Sequence, residues 1–322
     1  MISATICLSH RLIAPLLLLL SLISAPAKEA FFVVEANSGR ILMAQGALER
    51  KSVASLTKVA TAMVILDWAQ ATKSDLGTVI GVPASGGTLG GSNPMGLRPG
   101  DRITVRNALY SALLGSDNAS AETLASHVGG AILHARGKNG DPVKVFVREM
   151  NELAKALGMR KTKFANAHGM DNGRQRGYST ATDIARLCIY AMRNPGFVFF
   201  VKQNSRKVSF QQAGQARGFT VQNTNKLLGQ HNINGIKTGM TALAGQCLAT
   251  SSELKPIVQK LPDGRSSLRP RRLICVVLGS EDRFARTQVL VKQGWGFYDQ
   301  WVKEGALIRD PAKETLTVPN PR

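Results

Sequence analysis

Acidic residues are what this sequence has least of. Asp and Glu number 21 against 41 Lys and Arg, and the formal charge is +20. The imbalance excludes a chain that works by presenting negative charge and leaves one whose field draws anions. Histidine is sparse as well. The five histidines, at 10, 127, 134, 168 and 231, have no metal-ligand spacing with each other or with the cysteines, so no metal and no cofactor is expected. Of the four cysteines, Cys7 lies in the N-terminal segment, and Cys188, Cys247 and Cys275 remain. An odd number rules out full intramolecular pairing. Cys247 and Cys275 both fall in expected strands and can pair, but buried free thiols suit apolar surroundings better. Internal repeats and low-complexity tracts are also lacking.

Past the N-terminus there is no long apolar run. At the N-terminus Arg11 precedes an apolar stretch from Leu12 to Ile23, followed by Ala25-Pro26-Ala27. This reads as a secretory signal over residues 1–27, cleaved after Ala27. The rival, an uncleaved anchor, needs roughly 20 apolar residues, and this run is shorter and holds Pro15. Arg11 is the one Lys or Arg in residues 1–27, so cleavage takes one unit from +20 and leaves +19. Export to the periplasm or cell wall makes anionic envelope polymers, acidic peptides or lipid headgroups the expected partners, not nucleic acid, for which no motif occurs. Basic residues are dispersed except at GRSSLRPRR, Gly264 to Arg272.

With 44% hydrophobic residues, the rest of the chain suits a globular core. AFFVVEANSGRILMAQ reads as two strands joined at Asn37-Ser38-Gly39. An apolar helix follows Ser55, then a Gly/Pro-rich loop ends at Asp101, near the start of the next helix. Helices are expected on either side of Gly115-Ser116-Asp117-Asn118, over DPVKVFVREMNELAKALGM, and over STATDIARLCIYAMRNP, stopped at Pro195. Beyond residue 205 short strands alternate with turns, a last helix spans roughly residues 283 to 302, and a polar tail follows over 303–322, of which IRDPAKETLTVPNPR is expected to be disordered. The pattern predicts an α+β fold, helices packed on a mainly antiparallel sheet, with one catalytic domain over residues 28–302.

Within the first helix, Lys58 poses a question. From Val59 to Leu66 only Thr61 is polar, and such a helix is normally buried. A first-turn lysine usually bends its charge out to water; the alternative is an ammonium buried beside Ser55, one turn away on the same face. Spacing alone decides nothing, since Ser252 and Lys255 repeat it. Two further motifs break the tie. Ser116-Asp117-Asn118 stands at a break between helices and Lys237-Thr238-Gly239 at an expected strand. Together, S-x-x-K, S-D-N and K-T-G form the signature of class A β-lactamases and penicillin-binding proteins. Their chemistry explains the residue types. A serine hydroxyl needs a base, and burial with a second cation, Lys237, pushes the Lys58 pKa down until its amine can serve. Ser116 suits a proton relay to the leaving amine, and Asn118 suits holding the substrate amide while contacting Lys58. Lys237 and Thr238 suit a substrate carboxylate. The amides of Ser55 and Met240 are the natural oxyanion donors, and Gly239 lets substrate lie close.

Over roughly residues 30 to 300 the chain resembles low-molecular-mass penicillin-binding proteins of the serine D-alanyl-D-alanine carboxypeptidase family. The resemblance extends beyond the motifs to VVEANSGRIL, GGSNPMGLRPGDRITV, FANAHGMDNGRQRGYSTATDIARL, KTGMTALAGQCLA and RRLICVVLGS, the last followed by Arg286 and GWGFYD. It implies a β-lactamase/transpeptidase-like fold with a helical subdomain, and an enzyme that takes peptidoglycan stem peptides and is acylated by β-lactam antibiotics. The family's functional residues carry over to Ser55, Lys58, Ser116, Asn118, Lys237, Thr238 and Gly239. His168 in HGMD and Arg272 match two further positions, His168 near the site or as a structural loop residue, Arg272 at the terminal carboxylate or in a structural or surface role. Membrane-bound relatives usually continue into a β-rich domain and an amphipathic anchor helix; this sequence stops soon after GWGFYDQW, so no anchor is expected after signal cleavage. Relatives without the second domain include endopeptidases that cut peptide crosslinks, which keeps that alternative open. Class A β-lactamases deacylate with a glutamate between the second and third motifs. None occurs between Glu152 and Glu253, so penicillin is expected to leave slowly. A non-catalytic wall-binding scaffold is disfavoured because Ser55, Lys58, Ser116 and Lys237 are all present. The connection SELKPIVQKLPDGRSSLRPRR, residues 252–272, is longer than the family's usual one, and its basic character makes it the expected contact for anionic wall polymer.

Overall fold

The computed structural model describes residues 29–171, 176–260 and 264–320; the export signal expected over residues 1–27 lies outside them. One antiparallel sheet has the spatial order β2 (Ile41–Gln45), β1 (Ala30–Glu35), β9 (Ser266–Ser280), β8 (Gly245–Lys260), β7 (Ile233–Thr241). A smaller one runs β3 (Val79–Gly81), β4 (Arg102–Thr104), β5 (Ser205–Gln212), β6 (Gln215–Gln222). The helices are α1 (Thr57–Thr72), α2 (Val105–Leu114), α3 (Asn118–Ala135), α4 (Pro142–Ala156), α5 (Ala181–Met192), α6 (Pro195–Val201), α7 (Arg283–Lys303) and α8 (Pro311–Glu314).

The run LICVVL explains how the larger sheet is covered. Alternate side chains of a strand point to opposite faces. Leu273, Cys275 and Val277 meet Phe31, Val33, Leu248 and, from α7, Leu290 and Val291. Ile274, Val276 and Leu278 join the larger core that includes α1 and α5. A sheet covered on both faces reads as nearly continuous apolar sequence. Helix α1 lies inside that core, with every residue from Thr57 to Leu66 buried. Lys58 is 1% exposed, so it does not bend out to water. The three described cysteines, Cys188, Cys247 and Cys275, are free and buried.

Several expected boundaries differ. The Gly/Pro-rich loop leads into β4, not directly into a helix, because Ile103 buries against its neighbours while Arg102 and Ile103 pair with β5. Pro195 stops α5 and also opens α6, where a missing N–H costs nothing. Residues 252–272 are not a loop: β8 and β9 continue as a paired ribbon, with Val258 opposite Leu268 and Lys260 opposite Ser266. The tail is not disordered over its described part. α8 is followed by a bridge from Thr315 to Arg40, Arg40 pairs with Glu314, and Leu316 is buried against the Gly39 turn. Among the described residues no single helix is long and apolar enough to cross a membrane.

Candidate active site

Ser55 sits on a tight turn, Ala54–Leu56, that runs into α1, so its amide belongs to a helix N-terminus. Lys58 Nζ lies 3.0 Å from Ser55 Oγ, 2.7 Å from Asn118 Oδ1 and 2.8 Å from the carbonyl oxygen of His168. Asn118 Nδ2 donates to the Gly90 carbonyl at 3.0 Å, which fixes its amide so that Oδ1 faces the lysine. Two of the three partners can therefore only accept. They take two N–H groups of an amine, and the lone pair of a neutral amine is left for the Ser55 hydroxyl. The energetics agree: burial pushes Lys58 down to about 7, opposed by the Asp117 carboxylate.

The Ser116 break is held by Asp117, which the motif treats as a spacer. Its buried carboxylate accepts from Ser111 Oγ at 2.8 Å and from the amide and hydroxyl of Ser120 at 3.1 and 2.9 Å, capping α3. Ser116 takes a left-handed backbone with φ of 61°, a conformation that non-glycine residues hold only when their surroundings enforce it. The loop above it is tied down too, with Asn118 N donating to the Ser92 carbonyl at 2.7 Å.

Across the cleft, β7 carries Lys237, Thr238 and Gly239. Lys237 is 1% exposed and Nζ donates to the Thr238 carbonyl at 3.1 Å. Its pKa is lowered well below the ordinary value by burial, then by the charges of Lys58 and Arg283. A carboxylate placed beside Lys237 would act in the opposite direction and favour its charged form. Thr238 Oγ1 shares a 2.6 Å hydrogen bond with Thr224. A Cβ placed on Gly239 would stand 3.0 Å from the Ser55 amide nitrogen, so β7 passes directly beside the nucleophile's turn. Met240 follows, its side chain exposed.

Ser55, Lys58, Ser116, Asn118, Lys237, Thr238 and Gly239 are thus on elements that meet at one cleft. His168 reaches it through its carbonyl. The imidazole is turned to its own loop, Nδ1 accepting from Met170 N at 3.2 Å, and burial and the Lys58 charge press its pKa to about 3, leaving it neutral. Arg272 is not brought in. It pairs with Glu253 at 2.7 Å, while Val276 on the same strand is level with Ala249 and hence Lys237; four residues of strand are about 13 Å. The cation near the motif is instead Arg283, which donates to the Gly239 carbonyl at 2.9 Å and keeps Nε buried without a partner. Sequence reasoning missed it; its signal was the capping Asp282 immediately before it. Of the glutamates between the second and third motifs, Glu122 is on α3 and buried, and Glu149 and Glu152 line a cleft with Asp67 and Tyr190.

The family model of the D-alanyl-D-alanine carboxypeptidases, peptidase S11, matches residues 23–258. A D-alanyl-D-alanine endopeptidase of Pseudomonas aeruginosa is 32% identical over 69% of this chain and 66% of its own length. The Escherichia coli D-alanyl-D-alanine carboxypeptidase DacC is 29% identical over 86% of this chain and 64% of its own. The chain therefore spans just under two thirds of the length of these curated relatives. Among solved structures, the Streptomyces K15 DD-transpeptidase superposes with a TM-score of 0.69 at 27% identity, covering 83% of this chain and 96% of that one. Penicillin-binding protein D2 of Listeria monocytogenes, in its ampicillin-bound form, gives 0.66 at 26%, covering 83% and 96%. The α+β architecture described above is the fold these proteins have.

Proposed function

The chain belongs to the D-alanyl-D-alanine carboxypeptidase family, peptidase S11, and from that premise we propose that it is a serine DD-peptidase acting on peptidoglycan stem peptides, as a D-alanyl-D-alanine carboxypeptidase. One observation carries the reading: an almost fully buried amine 3.0 Å from the Ser55 hydroxyl, its other two contacts both acceptors. Ser55 Oγ attacks the carbonyl carbon of the D-Ala-D-Ala bond and its proton passes to Lys58. The Ser55 and Met240 amides hold the developing oxyanion. Ser116 passes the proton to the leaving amine, the C–N bond breaks, and an ester remains on Ser55. Water then cleaves that ester and restores the hydroxyl. Lys237 and Thr238 hold the substrate carboxylate, with Arg283 reinforcing the positive field.

The relative named as an endopeptidase supports a second reading, cleavage of a peptide crosslink. The covalent steps are the same and only the leaving amine changes. β-Lactams acylate the same serine. A place in the periplasm or cell wall, consistent with the N-terminal signal, makes wall remodelling the setting.

Intact mass after incubation with penicillin tests the acylating serine. A single covalent adduct is expected on the wild type and none on Ser55→Ala; no adduct on the folded wild type would leave a wall-binding scaffold as the better reading.

The ribbon of β8 and β9 is the proposed contact for anionic wall polymer. From Lys255 to Arg272 it carries six basic residues against one acid, Asp263, and a polyanion gains from such a row through long-range attraction that salt screens. Deleting residues 256–268 is expected to weaken sedimentation with isolated cell walls at low salt and to leave penicillin acylation intact; equal sedimentation would dispose of the contact.

A further inference from the structure

Asp171 does not belong to any of the three motifs, yet its carboxylate is shared between the two walls of the cleft. Ser52 Oγ donates to Oδ1 at 2.7 Å and Thr241 Oγ1 donates to Oδ2 at 2.5 Å. Ser52 lies three residues before the nucleophile. Thr241 follows Met240 directly on β7, and its hydroxyl also accepts from the Ala244 amide at 3.0 Å, pinning the β7–β8 turn. Among the described residues no other side chain hydrogen-bonds to both segments.

We propose that Asp171 is a positioning residue that sets the spacing between the two amides of the oxyanion hole. The proposal rests on the DD-peptidase reading. One amide, that of Ser55, belongs to the segment that Ser52 holds; the other, that of Met240, belongs to the segment that Thr241 holds. A Cβ on Gly239 would stand only 3.0 Å from the Ser55 amide nitrogen and 3.1 Å from the Val53 carbonyl oxygen, so the two segments are in contact there. Away from that contact each segment is paired elsewhere, Lys51 with Ser179 and Thr241 with Gly245, so the spacing between them is set directly only by a group that bonds to both. The charged acceptor does this through two hydroxyl donors, and hydrogen bonds to an ionised carboxylate are shorter and stronger than neutral ones. Asp171 touches neither substrate nor proton; it acts through the amides. Its effect should therefore be confined to the tetrahedral state, where the oxyanion forms, and be small on initial binding.

The test uses the full chain and two probes, penicillin and an arylboronic acid, which adds to the Ser55 hydroxyl as a tetrahedral boronate with one oxygen in the oxyanion hole. Asp171→Asn keeps one acceptor oxygen but sets an amide N–H₂ against the other hydroxyl. It is expected to lower the limiting acylation rate by about 10–100-fold and to weaken boronate inhibition by a similar factor, since a misplacement near 1 Å costs about that much. The pre-covalent dissociation constant of penicillin should change less than about threefold. Ser52→Ala and Thr241→Val are expected to give part of each loss alone and to add little on top of Asp171→Asn. They also serve as the test if Asp171→Asn does not fold. Acylation and boronate inhibition at wild-type strength in the folded variants would overturn the proposal. So would a loss of thermal stability with unchanged boronate affinity, the mark of a purely structural tie. If the wild type takes neither probe, the peptidase reading falls and this one with it.

Discussion

Lys58→Ala is expected to slow acylation of Ser55 by penicillin about a thousandfold at pH 7.5, with the fold retained. General-base assistance contributes roughly 10²–10⁴, and among the described residues no other side chain hydrogen-bonds to Ser55 Oγ. The wild-type pH profile gives the sharper check. Lys58 must be neutral to accept the serine proton. With its pKa near 7, the acylation rate constant should fall about tenfold per pH unit below 7 and flatten above it, up to the next titration. A limb centred near 10 would remove Lys58 as the base. The same depressed pKa has a stability signature. Between about 7 and the ordinary 10.5 the unfolded chain binds a proton that folded Lys58 refuses, so stability rises with pH across that window. Lys237 is lowered in the same direction by burial, Lys58 and Arg283. Denaturant melts at pH 7 and 9.5 should thus differ less in Lys58→Ala than in the wild type.

Gly169→Ala is expected to cost about 2–4 kcal/mol and to abolish penicillin labelling, because two penalties coincide. The residue has φ of +84°, and its new Cβ would fall 1.9 Å from the Ala54 carbonyl oxygen and 2.8 Å from Thr57 Oγ1. The first of these is backbone one residue before the nucleophile. It cannot rotate away, so either the 168–171 loop retreats, withdrawing the His168 carbonyl from Lys58, or the Ser55 turn shifts. Gly90→Ala is the control. That glycine also has positive φ, +65°, but nothing lies within 4 Å of its Cβ, so only the conformational cost of about 1–2 kcal/mol applies. Thermal melts and intact-mass labelling on both variants check this; equal losses would mean that backbone conformation, not the Ala54 contact, sets the penalty.

The core of the site was legible because its chemistry needs particular residue types at local spacings. Ser55 and Lys58 are one helical turn apart, Ser116 and Asn118 sit at one helix break, and Lys237 to Gly239 lie on one strand, so no long-range contact had to be guessed. What failed was what long-range register decides. Arg272 lies within β9, four residues before the position level with Lys237, whereas Arg283 opens α7 just beyond that strand, and only strand alignment says which one comes near it. Asp171 carries no local signal of its own, because its partners Ser52 and Thr241 are distant in sequence. The ribbon over 252–272 contains Pro256 and Pro270, which read as loop residues; both are accommodated where the pairing shifts register between Leu254 and Ile257. The tail reads as disorder by composition, yet Leu316 and Val318 pack on the core, Thr315 bridges to Arg40, and Glu314 pairs with Arg40, which seats it beside the Gly39 turn.

The placing of β7 at the end of its sheet creates a hazard of its own. An edge strand offers unpaired backbone groups to any extended chain, including the same strand of another molecule, and head-to-head dimers or fibres are the usual outcome. Here the edge has to stay uncapped if a stem peptide is to lie along it. The strand instead carries a buried lysine, a glycine, and a register shift between Ile233 and Gly235, features that make a second copy a poor match. Two such edges meeting would also set Lys237 near its twin in a molecule already at +20. The residues proposed to hold a substrate carboxylate would therefore also reject the commonest unwanted guest, so that a charge-removing substitution such as Lys237→Met carries a risk of aggregation as well as of lost binding.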